Sequence, residues 1–256
     1  MKTNTTQKLL QYLRTHKRTT AKKLTEFLSI SKQALFKHHL TPLLQAGKIK
    51  KIGRPPTVYY SLLEEGLSLQ KSAMAWAQAE QVQTKDLERE YYCETRDVFQ
   101  GRLDKMLYEM IRIKTLPTDT VYLLTAVTGE IGNNSFDHNL GQWPDVPGII
   151  FGYETIKGKA TVILADRGQG VLTTLKKIRP ALADDRKALE VAFTERVSGR
   201  SPEKRGNSLK YVRKVIDAQH MHLAFSSGSA TAKLNDILKI DSTTPHIQGC
   251  VAIITT

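Results

Sequence analysis

Cysteine is scarce in this sequence of 256 residues, which contains only Cys93 and Cys250. Two cysteines so far apart support neither a disulfide framework nor a cysteine metal site. Long apolar runs are also missing: no stretch reaches the roughly 18 residues of a membrane-spanning helix, and the first residues lack the apolar core of a signal peptide. These absences lead us to expect a soluble cytoplasmic protein with no membrane partner.

Acidic residues are almost absent from the first 60 positions. This stretch holds thirteen of the 38 Lys and Arg residues but only one of the 25 acidic residues, Glu26. It therefore carries twelve of the thirteen net positive charges, and the remainder of the chain is close to neutral. A basic segment beside a neutral body is typical of nucleic-acid-binding modules, whereas a charge kept only for solubility would not be segregated in this way.

Residues 1–62 show the pattern of three short helices followed by a hairpin. Apolar positions recur at helical spacing as far as Gly47, which suits a helix C-terminus, and β-rich segments then flank Gly53-Arg-Pro-Pro56. This arrangement resembles the winged helix-turn-helix domain of bacterial transcription regulators, and the resemblance implies that double-stranded DNA is the partner. The residues expected to contact DNA are Ser31, Lys32, Gln33, Lys37, Lys50, Lys51 and Arg54.

A winged helix can also be used for contacts with other proteins, and this alternative has to be weighed against the charge. The third helix fits a DNA major groove, and Arg54 at the wing tip can reach the minor groove or a phosphate. The strong positive charge favours DNA, because neutralising phosphates releases counterions.

Residues 63–117 have a polar, helical composition with no proline before Pro117. We expect a helical linker that pairs with a second copy to form a homodimer; a helix packed on the C-terminal domain is the alternative. Histidine kinases carry a phospho-accepting histidine on such a helix. No histidine lies between His39 and His138, which disfavours a conventional histidine kinase.

A polar stripe on a helix predicted to begin at Thr118 is the first part of a candidate site. Its members recur about one helical turn apart and therefore share one face: Glu130, Asn134, Asp137 and His138. The carboxamide oxygen of Asn134 suits Mg²⁺, which prefers oxygen ligands, and Glu130 can orient or deprotonate an attacking water or hydroxyl. Taken alone, the stripe would also fit a hydrated helix face.

The second part of the site ends an apolar strand, in the segment Val162-Ile-Leu-Ala-Asp166-Arg-Gly168-Gln-Gly170. A fixed carboxylate here stands beside two glycines, which allow the backbone to approach a ligand closely. An ordinary strand-ending turn is the alternative. One part of the site suits a metal ion and a water and the other a purine, so together they predict an ATP site.

Three ordered segments resemble the nucleotide boxes of the GHKL (Bergerat-fold) ATPases: Glu130-xxx-Asn134-xxx-His138, Asp166-Arg-Gly168-Gln-Gly170 and Arg205-Gly206-Asn207-Ser208-Leu209. The resemblance covers residues 118–256 and is greatest to the anti-sigma-factor serine kinases. It implies that Asp166 accepts a hydrogen bond from the adenine amino group, while Gly168 and Gly170 let the chain pass under the base.

The third box and the segment before it are expected to hold the phosphates. The resemblance implies an ATP lid over residues 171–205 whose basic tip includes Arg200, Lys204 and Arg205. The segment from Gly206 to Leu209 would then begin a helix, and amides at a helix N-terminus bind phosphate. Ser208 stands where the third box of the family usually has a second glycine.

The expected fold class is therefore α+β: a winged helix-turn-helix over residues 1–62, the helical linker over 63–117, and a Bergerat-type α/β sandwich with a mixed sheet over 118–256. One function that fits is an ATP-binding transcriptional regulator in which the ATPase domain controls DNA binding. A serine/threonine protein kinase acting on a small partner protein is a second, and a non-catalytic partner-docking module a third. Intact Glu130 and Asn134 argue against the third, since a degenerate pocket need not keep a base or a metal ligand.

Overall fold

The computed structural model of this chain describes residues 5–16, 18–45, 48–62, 67–82, 89–114, 116–156, 158–195 and 208–256. The chain divides into two units, Met1–Ser68 and Leu69–Thr256, and each has its own hydrophobic core. Both units combine helices with antiparallel sheet, which confirms the α+β class. No helix in the described ranges is long and apolar enough to cross a lipid bilayer.

The first unit contains helices and a three-stranded antiparallel sheet of order β1-β3-β2. Its elements are α1 (Thr5–Thr15), β1 (Thr19–Thr20), α2 (Ala21–Leu28), α3 (Lys32–Leu35), a π-helix (Phe36–Leu40), α4 (Thr41–Gln45), β2 (Ile49–Arg54) and β3 (Thr57–Leu62). The side chains of Thr20 and Ser31 each accept a backbone N–H from the helix that follows, so they satisfy donors that the first turn leaves unpaired.

Helical turns continue from α3 into α4, but the π-helix widens the turn directly before Pro42. Proline has no N–H to donate and its ring clashes with the preceding turn, and a wider turn accommodates both defects. Apolar side chains from all the helices then pack on the hairpin β2–β3 and form the core: Leu9, Leu13, Leu24, Leu35, Leu40, Leu43, Ile49 and Tyr60.

The second unit contains six helices and a five-stranded sheet among its described residues. Its elements are α5 (Leu67–Gln78), β4 (Tyr92–Cys93), α6 (Arg96–Ile113), α7 (Thr118–Asn139), β5 (Ile149–Ile156), β6 (Lys159–Asp166), α8 (Gly170–Lys176), α9 (Asp185–Thr194), α10 (Ser208–Ala218), β7 (His222–Asn235) and β8 (Ile237–Thr255).

The prediction of a mixed sheet in this unit is wrong. The strand order is β4-β5-β6-β8-β7, and every pairing between described strands is antiparallel. The pairs β5–β6 and β7–β8 are hairpins, which are antiparallel by construction. The helices between β6 and β7 then return the chain so that β8 lies beside β6 in the opposite direction.

The two faces of this sheet carry alternating sets of apolar side chains, as the two-residue period of a strand requires. Ile149, Phe151, Val162 and Leu164 pack in the core that also includes α6, α7, α9 and α10. On the opposite face, Ile150, Ile163, Ala165 and Val251 pack against α5 through Leu69, Ala73, Trp76 and Ala77. The sheet is therefore covered by helices on both sides.

Residues 63–117 were predicted to form a helical linker. In the described part of this segment, a strand and a helix instead belong to the second unit. Its strand β4 pairs with β5 at the edge of the sheet, and α6 buries Phe99, Leu103, Met106 and Met110 in the main core. The apolar face of α6 is thus buried within the unit, and composition alone could not separate a linker from a packing helix.

The closing strands β7 and β8 form a long hairpin of 14 and 19 residues. They pair as far as Asn235 and Ile237, beyond the end of β6, with register irregularities around Gly228. Alternate residues of the extension, Ala230, Ala232 and Leu234, are buried in the main core, which also contains residues of α9 and α10. The extension therefore stabilises these two helices.

Glycine at position 132 is required by the packing of α6 on α7. A β-carbon there would lie 2.2 Å from the ring of the buried Phe99, so we expect Gly132→Ala to lower the free energy of unfolding by about 1–3 kcal/mol, the usual cost of overpacking. At Gly101, on α6, a β-carbon would meet nothing within 4 Å. Gly101→Ala should therefore raise stability by about 0.5–1 kcal/mol through helix propensity. Urea unfolding of both variants gives the comparison, and equal effects would contradict this packing.

Candidate functional site

A cavity of about 900 Å³ lies in the second unit between the polar face of α7 and the end of β6, where β6 pairs with Cys250 of β8. Its size is in the range of small-molecule and cofactor sites. The described residues that were predicted to bind nucleotide and that line this cavity are Glu130, Asn134, Asp137, His138, Asp166, Gly170, Ser208 and Leu209. Segments separated by up to 70 residues in the chain are thus brought to one place.

Asp166 is the last residue of β6 and is only 2% exposed. Its Oδ1 accepts the backbone N–H of Gly168 at 2.8 Å, and its Oδ2 accepts the hydroxyl of Ser135 at 2.7 Å. Burial raises the pKa of this carboxyl above its ordinary value of 3.8, while these hydrogen bonds and one from the backbone of Cys250 act in the opposite direction. A carboxylate has about four acceptor positions, so it retains acceptor capacity toward the cavity.

Ser135 and Asn139, which were not among the predicted site residues, hold this carboxylate and the segment that follows it. Ser135 follows Asn134 on α7 and donates to Asp166. Asn139 ends α7 with its side chain buried, accepting the N–H of Gln169 at 2.8 Å and donating to the carbonyl of Ser135 at 2.8 Å. Ser135 and Asn139 are one helical turn apart and lie on the face of α7 next to the polar stripe, so the stripe itself did not point to them.

The two glycines of the loop have different structural reasons. A β-carbon at Gly168 would lie 2.0 Å from the side-chain nitrogen of Asn139, so glycine is needed there for the close approach of loop and helix. Gly170 has a φ of +74°, in the left-handed region that favours glycine, and it begins α8. Gly170 lines the cavity. Gly168 is not one of the lining residues, and its backbone N–H donates to the carboxylate of Asp166.

The other end of the polar stripe carries Glu130 and Asn134. Glu130 is exposed and lines the cavity, so its carboxylate is accessible to solvent and to a ligand. The Asn134 side-chain NH₂ donates to the hydroxyl of Ser208 at 2.5 Å, which leaves the carboxamide oxygen for another partner. Ser208, in the position of the second glycine of the third box, therefore links the start of α10 to the predicted magnesium ligand.

Asp137 and His138, the last members of the stripe, lie at the opposite end from Glu130. Asp137 forms an ion pair with Arg96, the first residue of α6, which also lines the cavity. The side chain of His138 is exposed, and its backbone carbonyl accepts the side-chain amide of Gln169 at 2.9 Å. Arg96 was not among the predicted site residues, because only the fold brings the start of α6 beside the end of α7.

Arg167, between Asp166 and Gly168, was not among the predicted site residues and does not itself line the cavity. Its guanidinium is 2% exposed and pairs with Asp145 at 2.6 Å. It also donates to the carbonyls of Trp76 and Ala79, at 2.6 and 2.8 Å, where α5 ends. A cation is well placed there, because the carbonyls at a helix C-terminus carry partial negative charge.

The described part of the predicted lid, residues 171–195, contains most of α8 and all of α9, whereas its basic tip and most of the third box lie outside the described residues. Arg200, Lys204, Arg205, Gly206 and Asn207 lie outside the described residues, so only Ser208 and Leu209 of that box are located in the structure. Both begin α10, an amphipathic helix of 11 residues that buries Val212, Val215 and Ile216.

The residues predicted to contact DNA occupy the two expected elements of the first unit. Ser31 caps α3, and the side chains of Lys32, Gln33 and Lys37 are exposed on α3 and the π-helix. On the hairpin, Lys50 is half-buried, whereas Lys51 and Arg54 are exposed. Arg54 pairs with Thr57 as the last pair before the Pro55-Pro56 turn, which places it at the tip. His39, by contrast, is tied to Thr6 by a hydrogen bond of 2.8 Å within the unit.

The support that Ser135 gives to Asp166 can be measured by NMR titration of the side-chain carboxyl. We expect Asp166 to titrate above 3.8 in the native protein. Because the native state then holds a proton where the unfolded chain has lost it, the contribution of Asp166 to the free energy of unfolding decreases as pH rises through that interval. Ser135→Ala removes a donor that favours the charged form, so the Asp166 midpoint should move to higher pH.

The matched control for this titration is Thr125→Ala, which removes another α7 hydroxyl, one that bonds only the carbonyl of Val121 in its own helix. It should leave the Asp166 midpoint unchanged. A midpoint that does not move in Ser135→Ala, or that moves downward, would contradict the hydrogen bond between Ser135 and Asp166.

The site as a whole offers a buried acceptor at one end and, at the other, an exposed carboxylate beside a carboxamide oxygen. Among the residues that the structure describes, no group of three or more His, Cys, Asp or Glu side chains is arranged to hold a metal ion. A Mg²⁺ ion at Asn134 would thus take its other ligands from water and from the ligand itself, as this cation commonly does. Comparisons of the chain with protein-family models, curated proteins and solved structures found no match.

Proposed function

We propose that this protein is an ATP-binding transcriptional regulator, with a winged helix-turn-helix in its first unit and a GHKL-type (Bergerat-fold) ATPase domain in its second. The observation that carries the proposal is the cavity in which the buried carboxylate of Asp166 faces the same space as Glu130 and Asn134. A site of this kind can take an amino-bearing base at one end and a metal-bound phosphate chain at the other.

Adenine is the base that the buried end of the cavity suits. Asp166 is an acceptor, so it favours a ring that presents an amino group and disfavours one that presents a carbonyl at the same position. The walls near it include Ile131, Val171 and Phe225, which provide apolar contact for a flat ring. A ligand without the amino group would leave a buried carboxylate partly unsatisfied, which is costly.

The polar stripe supports phosphate chemistry at the other end. Asn134 would hold Mg²⁺ through its carboxamide oxygen, and the ion would neutralise phosphate charge. Glu130 is placed to accept a proton from an attacking water or hydroxyl, since it is exposed and shares the cavity with Asn134. The N-terminal amides of α10, which begins at Ser208, supply donors of the kind that bind phosphate.

DNA binding by the first unit is supported by charge and by the position of that charge. Lys32, Gln33 and Lys37 are exposed on one continuous helical segment, and Arg54 projects at the tip of an adjacent hairpin. A helix of this kind enters a major groove while a hairpin tip contacts the flanking backbone or minor groove. Regulation would follow if two arrangements of the protein differ in their affinity for ATP and for DNA.

A serine/threonine protein kinase acting on a small partner is the second candidate, and the exposure of Glu130 is what favours it. A base buried under the nucleotide could serve only water, whereas an exposed one can receive the hydroxyl of another protein. Incubation with γ-labelled ATP and candidate partners distinguishes the two: label on a partner indicates a kinase, and free phosphate alone indicates a self-contained ATPase switch.

Asp166→Asn and Glu130→Ala should separate binding from turnover. The first replaces the charged acceptor of the adenine amino group, so we expect ATP affinity to fall by about 10- to 100-fold, which corresponds to one charge-assisted hydrogen bond. The second should leave ATP affinity unchanged and reduce turnover by about 100-fold or more, the usual effect of losing a general base. Calorimetry with Mg²⁺ and a phosphate-release assay measure the two quantities.

The control for these variants is Asp241→Asn, which removes a carboxylate from the exposed β7–β8 hairpin, where it pairs with Lys233. It should change neither affinity nor turnover. Normal ATP binding by Asp166→Asn would show that Asp166 is not the adenine acceptor. If the wild type itself binds no ATP, the cavity is better explained as part of a partner-docking module.

The double variant Lys32→Ala/Arg54→Ala tests the DNA interface. Each lost phosphate contact should weaken duplex binding and reduce the slope of log affinity against log salt by about 0.9, so the slope should flatten by roughly two. The matched control is Lys8→Ala/Lys71→Ala, which removes the same charge at exposed positions on α1 and α5. A slope that both variants change equally would mean that only net charge matters, and an unchanged slope in the first would contradict the interface.

A further inference from the structure

The first turn of α6 places a guanidinium on the wall of the nucleotide cavity. Arg96 begins this helix, and Thr95 caps it by accepting the backbone N–H of Val98 at 3.4 Å. The Arg96 side chain is 47% exposed and pairs with Asp137, which is 30% exposed. Asp137 lies three residues after Asn134 on α7, so this ion pair stands about one helical turn from the proposed magnesium ligand.

The charges of the described cavity wall are mostly negative. Its carboxylates are Glu130, Asp137, Asp166 and Glu195, and its Lys and Arg residues are Arg96 and Lys177. A polyphosphate that enters such a cavity meets repulsion unless cations are directed at it. Asp137, on the same helix face as Asn134, would repel phosphate most directly if it were not paired with Arg96.

The two cations of this wall differ in what they contact. The ammonium of Lys177 donates to the side chain of Gln142 at 2.8 Å, in the segment that follows α7. Arg96 contacts Asp137 through one terminal nitrogen, Nη2. A guanidinium has five N–H donors in a fixed plane, so one edge can bind a carboxylate while another binds a phosphate.

We propose that Arg96 is a ligand of the nucleotide phosphates and that Asp137 is the positioning residue that orients it. This assignment rests on the proposed ATP site and adds to it a residue that selects polyphosphate over the bare nucleoside. The carboxylate of Asp137 thus acts indirectly: it fixes the plane of the guanidinium, and the guanidinium offsets the repulsion that the carboxylate alone would cause.

Calorimetric titration of Arg96→Ala and Arg96→Lys with adenosine, ADP and ATP in the presence of Mg²⁺ tests this proposal in the full-length protein. Arg96→Ala should weaken ATP binding by about 10- to 100-fold, as expected for loss of a charge-assisted hydrogen bond, and leave adenosine binding unchanged. Arg96→Lys should lose less, because lysine keeps the charge without the fork of donors. The salt dependence of ATP binding should also decrease in Arg96→Ala.

The matched control is Lys105→Ala, which removes an exposed cation of the same helix that pairs with Glu109 outside the cavity. It should bind all three ligands as the wild type does. An equal loss for adenosine and ATP in Arg96→Ala would show a structural role and overturn the proposal, as would unchanged ATP binding. A wild type that binds neither adenosine nor ATP would instead overturn the ATP site itself, and with it this assignment.

Discussion

The arrangement of the second unit depends on the interactions of the buried Arg167 guanidinium. Removing such a cation from water costs several kcal/mol, and the cost is offset only when every partner is in place. Those partners come from distant parts of the chain: the carbonyls at the end of α5 and the carboxylate of Asp145. The position of the segment around Asp166 and the packing of α5 on the other face of the sheet therefore depend on the same contacts.

Local patterns predicted two segments that the fold brings to one cavity. The polar stripe of α7 and the strand ending in Asp166 each follow the short-range periodicity of one element, and the fold places both on one cavity. The ion pair of Arg96 with Asp137 and the contacts of Arg167 join residues 22 to 91 positions apart, and no local pattern contains that information. Ser135 lies beside the polar stripe and not on it, so helical periodicity gave no signal for its contact with Asp166.

The fold shows the same division between local and long-range information. The helices and the hairpin of the first unit follow from caps, apolar spacing and the Gly53-Arg-Pro-Pro56 turn. The sheet direction in the second unit could not be predicted, because pairing of β6 with β8 depends on how the intervening helices return the chain. The role of α5 was missed for a related reason: its buried residues pack on strands that come much later in the chain.

The position of α5 determines where the C-terminal unit can be separated from the rest of the chain. A fragment beginning at residue 118, where the nucleotide-box resemblance starts, would lose α5, β4 and α6. The guanidinium of Arg167 would then lack its helix carbonyls, and one face of the sheet would be exposed to water. A fragment beginning at residue 67 keeps all of these contacts, so we expect a stable fragment of the second unit to include the segment that sequence alone assigned to a linker.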